Sequence, residues 1–256
     1  MIILALLLFG AFVVNAQTGG MNCGDKDYEC KIAFYSKAIS ANGGDAESYY
    51  GRGIAYDQSG EYGLALSDLD KYISLKPSKA EYLSDGYAGR GDVYRHTDKF
   101  ALAIKDYTMA LQLNPKSHSA RLNRGIAYWK NNNSPSALTD FGYLIRQNSN
   151  DPEAYYNRSL VYKDQKKYRL AIADLDKYLS LDVTNNSYLA DGYRVRGSAK
   201  LNSGDANGSL ADFNRSIELN PDDAKTYRAR AEAYRKLRKA DLAAADEEKA
   251  RDLGDQ

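Results

Sequence analysis

Tyr49-Tyr50-Gly51-Arg52-Gly53-Ile54-Ala55-Tyr56 is a stretch that this chain repeats. It returns as Tyr87-Ala88-Gly89-Arg90-Gly91-Asp92-Val93-Tyr94, and again over residues 121–128, 155–162, 193–200 and 227–234. The fifth position of the stretch holds Gly53, Gly91, Gly125, Ser159, Gly197 and Ala231, spaced by 38, 34, 34, 38 and 34 residues. A period of this size marks an array of supersecondary units, none of which can bury its apolar face alone.

Each unit reads as two amphipathic helices. In the first, Tyr49, Arg52, Gly53 and Tyr56 fall at helical spacing. After Ser59-Gly60 a second stripe follows, with Tyr62, Ala65, Leu66, Leu69, Tyr72 and Ile73, until Pro77 stops the helix. The small residue at the fifth position lets the two helices approach closely. Upstream, Tyr28, Ile32, Tyr35, Ala38 and Ile39 repeat the second stripe 34 residues before Tyr62, so a lone helix near residues 25–40 caps the array. Downstream, a last helix over residues 241–253 carries Glu247 where earlier units carry Leu69, Tyr107 and Leu175. A polar residue there suits a terminal helix with one wet face.

These positions resemble the tetratricopeptide repeat family. The first unit supplies Tyr49, Gly53, Tyr56, Ala65, Leu69, Tyr72 and Pro77. The second supplies Tyr87, Gly91, Tyr94, Ala103, Tyr107, Ala110 and Pro115. The fifth supplies Tyr193, Gly197, Ser209, Phe213, Ser216 and Pro221, with Lys200 in place of the second tyrosine, and the third unit has Arg121 in place of the first. The resemblance covers residues 46–253. It implies an all-α, right-handed superhelical solenoid of about six helix-turn-helix units with an extra N-terminal helix. The expected units lie near residues 46–83, 84–117, 118–151, 152–189, 190–223 and 224–256, after a capping segment over residues 17–45.

A longer period lies over the first. Asp68-Leu69-Asp70-Lys71-Tyr72 matches Asp174-Leu175-Asp176-Lys177-Tyr178, 106 residues on, and Tyr82-Leu83-Ser84-Asp85-Gly86-Tyr87 matches Tyr188-Leu189-Ala190-Asp191-Gly192-Tyr193. Both 38-residue spacings sit at these matched places. Four extra residues are about one helical turn, so the first helices of units two and five are expected to start a turn early.

Six arginines stand one residue before the small position: Arg52, Arg90, Arg124, Arg158, Arg196 and Arg230. Six aspartates follow sixteen residues later: Asp68, Asp106, Asp140, Asp174, Asp212 and Asp246. A catalytic pair appears once in a chain, whereas these recur in every unit. They read as structural ion pairs between neighbouring helices, for which arginine's planar fork is suited. If each arginine reaches back to the preceding unit, Arg52 alone lacks an aspartate, because Phe34 stands in that place.

The resemblance also implies a binding face along the first helices. Mapped onto this chain it holds Tyr50 and Ile54 in unit one. An apolar, aromatic middle follows, made of Leu122, Ile126, Trp129, Tyr156 and Leu160. A basic end follows that, with Arg194, Lys225, Arg228, Arg235 and Lys236. An aromatic patch suits a peptide anchor and a basic end suits carboxylates. The plainer alternative is that neighbouring units cover part of the apolar set and that the basic end is a solvated face. The lysine–asparagine carboxylate clamp of chaperone-binding relatives is not matched by Tyr50, Ile54, Ala88 and Asp92.

Composition narrows the function class. Against 34 Asp+Glu stand 35 Lys+Arg, a formal charge of +1, which gives no electrostatic reason to expect nucleic acid as a partner. With two histidines and no phosphate loop, nucleophile elbow or Cys/His metal spacing, no cofactor, metal or catalytic residue is expected. Residues 2–14 form an apolar run too short to span a bilayer, and Val14-Asn15-Ala16 offers a cleavage site before Gln17. The reading is a signal peptide over residues 1–16 and export to a periplasmic or secreted location, with no integral span in the mature chain, although the basic n-region is missing. Cys23 and Cys30 are then candidates for a disulfide. Seven residues apart on one helix they would be about 10 Å apart, so a bridge requires Cys23 to precede the helix and fold back. Two free thiols are the alternative. The expected role is a protein- or peptide-binding scaffold that is not an enzyme; a structural component binding a surface polymer or membrane-protein complex is the second reading, and an enzyme the remote third.

Overall fold

The computed structural model describes residues 22–181 and 183–254. The expected signal segment lies outside the described residues. Among them are thirteen helices and no strand: α1 (Tyr28–Ala41), α2 (Ala46–Ser59), α3 (Tyr62–Ser74), α4 (Ala80–His96), α5 (Phe100–Leu113), α6 (His118–Lys130), α7 (Ser134–Gln147), α8 (Pro152–Asp164), α9 (Tyr168–Ser180), α10 (Asn186–Asn202), α11 (Ala206–Leu219), α12 (Ala224–Lys236) and α13 (Ala240–Asp252). The architecture is an all-α helical repeat. The described residues divide into two compact units, one up to residue 93 and one from residue 94 on, with the last three residues of α4 in the second.

Inside each unit, sequence-adjacent helices pack on each other, α1 on α2 and α2 on α3 in the first, and α5 through α13 in series in the second. The turn from a first helix to its second has one geometry throughout. Six residues at the same repeat position have left-handed φ: Gly60, Asp98, Asn132, Lys166, Gly204 and Arg238. One residue further on, a backbone N–H returns to a carbonyl five residues upstream, as in Glu61 N to Tyr56 O at 2.8 Å and Lys167 N to Tyr162 O at 2.9 Å. This Schellman closure satisfies helix-end carbonyls and turns the chain sharply. It demands a left-handed backbone, which glycine supplies at Gly60 and Gly204 and which costs about 1 kcal/mol elsewhere.

The core of each helix pair is built from two recurring positions. Leu69, Tyr107, Phe141, Leu175 and Phe213 occupy one position of the second helices and are all fully buried. The alanines or serine four residues earlier, Ala65, Ala103, Ala137, Ala171 and Ser209, are equally buried. The small residue of the first helix faces that large side chain. A Cβ added at Gly125 would lie 2.6 Å from Phe141 Cε1, and one at Gly197 would lie 2.7 Å from Phe213 Cε1. Opposite the narrower Leu175, Ser159 fits without an accessible atom. Glu247 takes this position in α13 and pairs with Arg235 of α12, so the terminal pair ends on an ion pair instead of a ring.

The two long first helices explain the 38-residue spacings. α4 and α10 have 17 residues each, against 13 or 14 in the other first helices. The added turn lies at their N-termini, over a tyrosine of the preceding second helix. Tyr72 O–H donates to the carbonyl of Tyr82 at 2.7 Å, and Tyr178 O–H donates to that of Tyr188 at 3.0 Å. Gly86 and Gly192 leave room for the two rings. At the other end of the first unit, Asp27 caps α1, and Cys23 in the preceding segment is bridged to Cys30 on the helix with Cα atoms 5.7 Å apart. Such a link contributes about 2–3 kcal/mol by restricting the unfolded chain.

Candidate functional site

The first helices are held in place by the repeating arginines. Arg52, Arg124, Arg158, Arg196 and Arg230 each donate from Nε and Nη2 to the two carboxylate oxygens of Asp68, Asp140, Asp174, Asp212 and Asp246, at 2.6–3.0 Å. Arg90 belongs to the first unit and Asp106 to the second. Each pair links the two helices of one repeat, and Arg52 has its aspartate. The alternative in which every arginine reaches back for its aspartate is therefore overturned. The backward reach is made by the remaining nitrogen. Nη1 meets Ser36 for Arg52, Asp70 for Arg90, Thr108 for Arg124, Asp176 for Arg196 and Asn214 for Arg230, at 2.6–3.3 Å. These acceptors share one position, two residues beyond the aspartate of the preceding second helix, or beyond Phe34 in α1 for Ser36. A single guanidinium thus ties a helix to its partner and to the unit before it. The carboxylates hold each arginine's pKa above its ordinary value.

The tyrosines belong to the same construction. Arg52 lies 5.7 and 5.8 Å from the ring centroids of Tyr49 and Tyr56, and Arg158 and Arg230 are flanked alike by Tyr155 with Tyr162 and by Tyr227 with Tyr234. Cation–π contact and a half-buried apolar body suit tyrosine there. The two departures from the pattern bring a second cation to the aspartate. Arg121 places Nη1 3.6 Å from Asp140, and Lys200 places Nζ 2.9 Å from Asp212.

The expected apolar middle is mostly core. Leu122 is buried against Phe141, Leu144 and Val161, and Tyr156 and Leu160 are buried with Leu175, Tyr178 and Val195. Val161 and Val195 come from the next first helix in each case, which covers the positions that the sequence leaves open. Tyr156 stacks on Tyr178 with centroids 5.3 Å apart and donates its hydroxyl to Asp191. Ile126 and Trp129 remain partly exposed. Trp129 Nε1 donates to Asp164 at 2.8 Å, and Lys130 Nζ lies 4.4 Å from the indole. In the first unit Tyr50 and Ile54 are partly exposed, and Tyr50 stacks on Tyr72 at 5.1 Å.

The expected basic end is corrected in the same way. Arg194 is held by Asp191 and lies 3.5 Å from Asp223, so it is an internal partner and not an open cation. Arg235 pairs with Glu247. Beside the Arg235–Glu247 pair a cavity of about 530 Å³ is lined by Lys225, Arg228, Arg235 and Arg251 together with Glu232 and Glu247. This end is mixed in charge with a basic excess. No group of three or more metal-ligating side chains occurs among the described residues, and no helix among them is long and apolar enough to cross a membrane.

Stacked helix pairs with part-exposed side chains along one helix of each pair define a class of repeat scaffolds. The chain belongs to the tetratricopeptide repeat family. The family model described as tetratricopeptide repeat matches residues 122–186 and 194–256, and related repeat models match 46–79 and 91–132. Among curated proteins, it is 28% identical over 121 residues to a TPR repeat-containing protein, MJ1428, of Methanocaldococcus jannaschii, covering 47% of this chain and 20% of that one. It is 48% identical over 50 residues to serine/threonine-protein phosphatase 5 of Mus musculus, covering 20% of this chain and 10% of that one. The chain therefore spans a fifth or less of these relatives. Among solved structures, a tetratricopeptide repeat protein from Parabacteroides merdae is similar with a TM-score of 0.69 at 19% identity, over 89% of this chain and 87% of that one. YrrB, described as a TPR protein with an unusual peptide-binding site, is similar with a TM-score of 0.57 at 22% identity, over 76% of this chain and 96% of that one.

Sequence reasoning missed the backward acceptor that five of the six arginines use, although its signal was present. The residues two beyond the aspartates are Asp70, Thr108, Gly142, Asp176 and Asn214, small and nearly all polar. It also missed that Asp191 and Asp223 would claim Arg194.

Proposed function

We propose that this chain is a protein- or peptide-binding scaffold that acts after export, through the exposed faces of its first helices, and not by catalysis. The observation that carries the reading is the rigid presentation of part-exposed, contact-forming side chains from one repeated helix position, Tyr50 and Ile54 in the first unit and Ile126 and Trp129 in the second. Their helices are fixed by the bidentate arginine pairs, so ordering them on binding costs little extra entropy. Aromatic side chains on a preorganised surface are the usual anchors of such interfaces. The similarity to YrrB, described as having an unusual peptide-binding site, supports this reading. The Cys23–Cys30 bridge supports an oxidising compartment.

The test is affinity capture from the exported compartment with the wild type and with a Trp129→Ala, Ile126→Ser variant, after circular dichroism shows that both fold. Loss of one polypeptide partner in the variant is the expected result, and an identical partner list for both chains would sink the reading. Mass spectrometry of the exported chain should find Gln17 at its start. A chain that keeps residues 1–16 overturns the export step.

A further inference from the structure

We propose that the first-unit surface around Asp85 receives an arginine side chain from a partner polypeptide. This rests on the scaffold reading above and assigns chemistry to one part of it.

The chain contains its own comparison. The block around Tyr50, Tyr72 and Asp85 recurs 106 residues later as Tyr156, Tyr178 and Asp191. The frames agree closely. Tyr50 stacks on Tyr72 at 5.1 Å and Tyr156 on Tyr178 at 5.3 Å. The hydroxyls of Tyr72 and Tyr178 both reach the first turn of the following long helix, at the carbonyls of Tyr82 and Tyr188. Arg90 and Arg196 both hold an aspartate of the preceding helix, Asp70 and Asp176.

The copies differ at one decisive place. In the second, Arg194 donates to Asp191, and Tyr156 donates to the same carboxylate. The residue at the position of Arg194 in the first copy is Ala88. There, no cation and no hydrogen-bond donor among the described residues meets the carboxylate of Asp85. Tyr50, whose counterpart is buried in the second copy, is left partly open. Burial holds the Asp85 carboxyl above its usual range, and Glu81 pushes the same way. Asp85 and Asp92 in turn add to the burial that raises the pKa of the Tyr50 hydroxyl.

The surrounding charge has changed in the matching sense. Glu47, Glu81, Asp85 and Asp92 stand where the second copy has Glu153, Ser187, Asp191 and Ser198. The first copy lacks the internal cation and carries two more carboxylates at these positions, with Arg95 standing where the second has Leu201. A half-buried carboxylate without a partner is costly, and an external guanidinium removes the cost. The second copy shows that the frame accepts a guanidinium beside a tyrosine and a carboxylate, and arginine brings a planar set of donors that a single ammonium does not.

The probe is N-acetyl-arginine amide, titrated into the full chain and followed by amide chemical shifts. Roughly millimolar binding is expected for a single side chain. Shifts should fall on α2 and α4, and the Asp191 region should be silent. The neutral isostere N-acetyl-citrulline amide should bind at least about ten-fold more weakly. Asp85→Asn should lose the response. Ala88→Arg should lose it too, while keeping or raising the melting temperature, because its own guanidinium fills the place that Arg194 fills in the second copy. Absence of shifts with the arginine probe, equal binding of citrulline, equal binding of N-acetyl-lysine amide, an undiminished response in either variant, or a fall in melting temperature for Ala88→Arg each overturns the assignment. If the probe fails while the Trp129 variant still strips a partner, only this subsite falls. If the probe binds while that variant strips nothing, the guanidinium site stands and its assignment to a partner polypeptide falls with the scaffold reading.

Discussion

Arg158 grips Asp174 through Nε and Nη2, at 2.8 and 2.7 Å, yet lacks the third hydrogen bond made by Arg124 and Arg230. Gly142 occupies the acceptor position that Thr108 and Asn214 fill for those two arginines. The bidentate grip therefore does not depend on the backward tie.

Gly142→Ser restores that tie and removes a glycine from the middle of α7. A Cβ there meets nothing closer than Arg146 Nη1 at 3.5 Å, which is ordinary contact. The expected gain is about 1 kcal/mol, part from helix propensity and part from the hydrogen bond. In a melting experiment this corresponds to roughly 2–4 °C, with Gly142→Ala gaining only the propensity share. Equal shifts for both variants would show that Arg158 does not use the new hydroxyl.

Arg158→Lys keeps the charge and removes the fork. Asp174 is buried and needs both oxygens satisfied. The variant should lose about 1–3 kcal/mol, because a lysine offers one point contact where two parallel bonds stood. Chemical denaturation measures the loss, and unchanged stability would mean that the pair contributes by charge alone.

Gly125→Ala places a methyl group 2.6 Å from a ring carbon of Phe141. Overpacking of this kind costs about 1–3 kcal/mol, only partly offset by alanine's better helix propensity. Phe141→Leu added to Gly125→Ala should recover much of the loss, since Ser159 sits comfortably opposite Leu175. A double-mutant cycle reads the coupling, and additive effects would refute the stated contact.

His118 Nε2 lies 2.6 Å from Asp151 Oδ2, and that hydrogen bond holds the imidazole pKa above its ordinary value despite partial burial. A histidine raised in the folded state contributes stability that is complete below its unfolded pKa and fades as pH rises through the folded value. Melting temperature should therefore decline as pH rises above the unfolded value of about 6.5, with the decline absent in His118→Gln. The histidine is about half exposed, so the effect stays below roughly 1 kcal/mol.

Repetition made much of this molecule legible before any coordinate was known. A helix period printed six times locates every helix pair. It also locates the small residue under Phe141, and the arginine and aspartate sixteen residues apart that meet across five helix pairs. Those features depend on residues close in sequence and on one repeated geometry, so the pattern of residue types determines them. The extra turns of α4 and α10 follow from the same arithmetic.

Exposure is different in kind, because it depends on what the neighbouring unit places against a side chain. Leu122, Tyr156 and Leu160 read as a surface in the repeat register, but Val161 and Val195 from following helices cover them. Arg194 reads as an open cation, but Asp191 and Asp223 converge on it from one turn away and from the next junction. Asp85 has the same residue type as Asp191 and the same place in the frame. Whether each is paired was decided by a side chain three residues on and by how the folded helix brings it back. The sequence alone determined the repeat, its helices and its internal ties. Only the tertiary structure decided which of those side chains are consumed by packing and which remain for a partner, because burial is a property of neighbours in space.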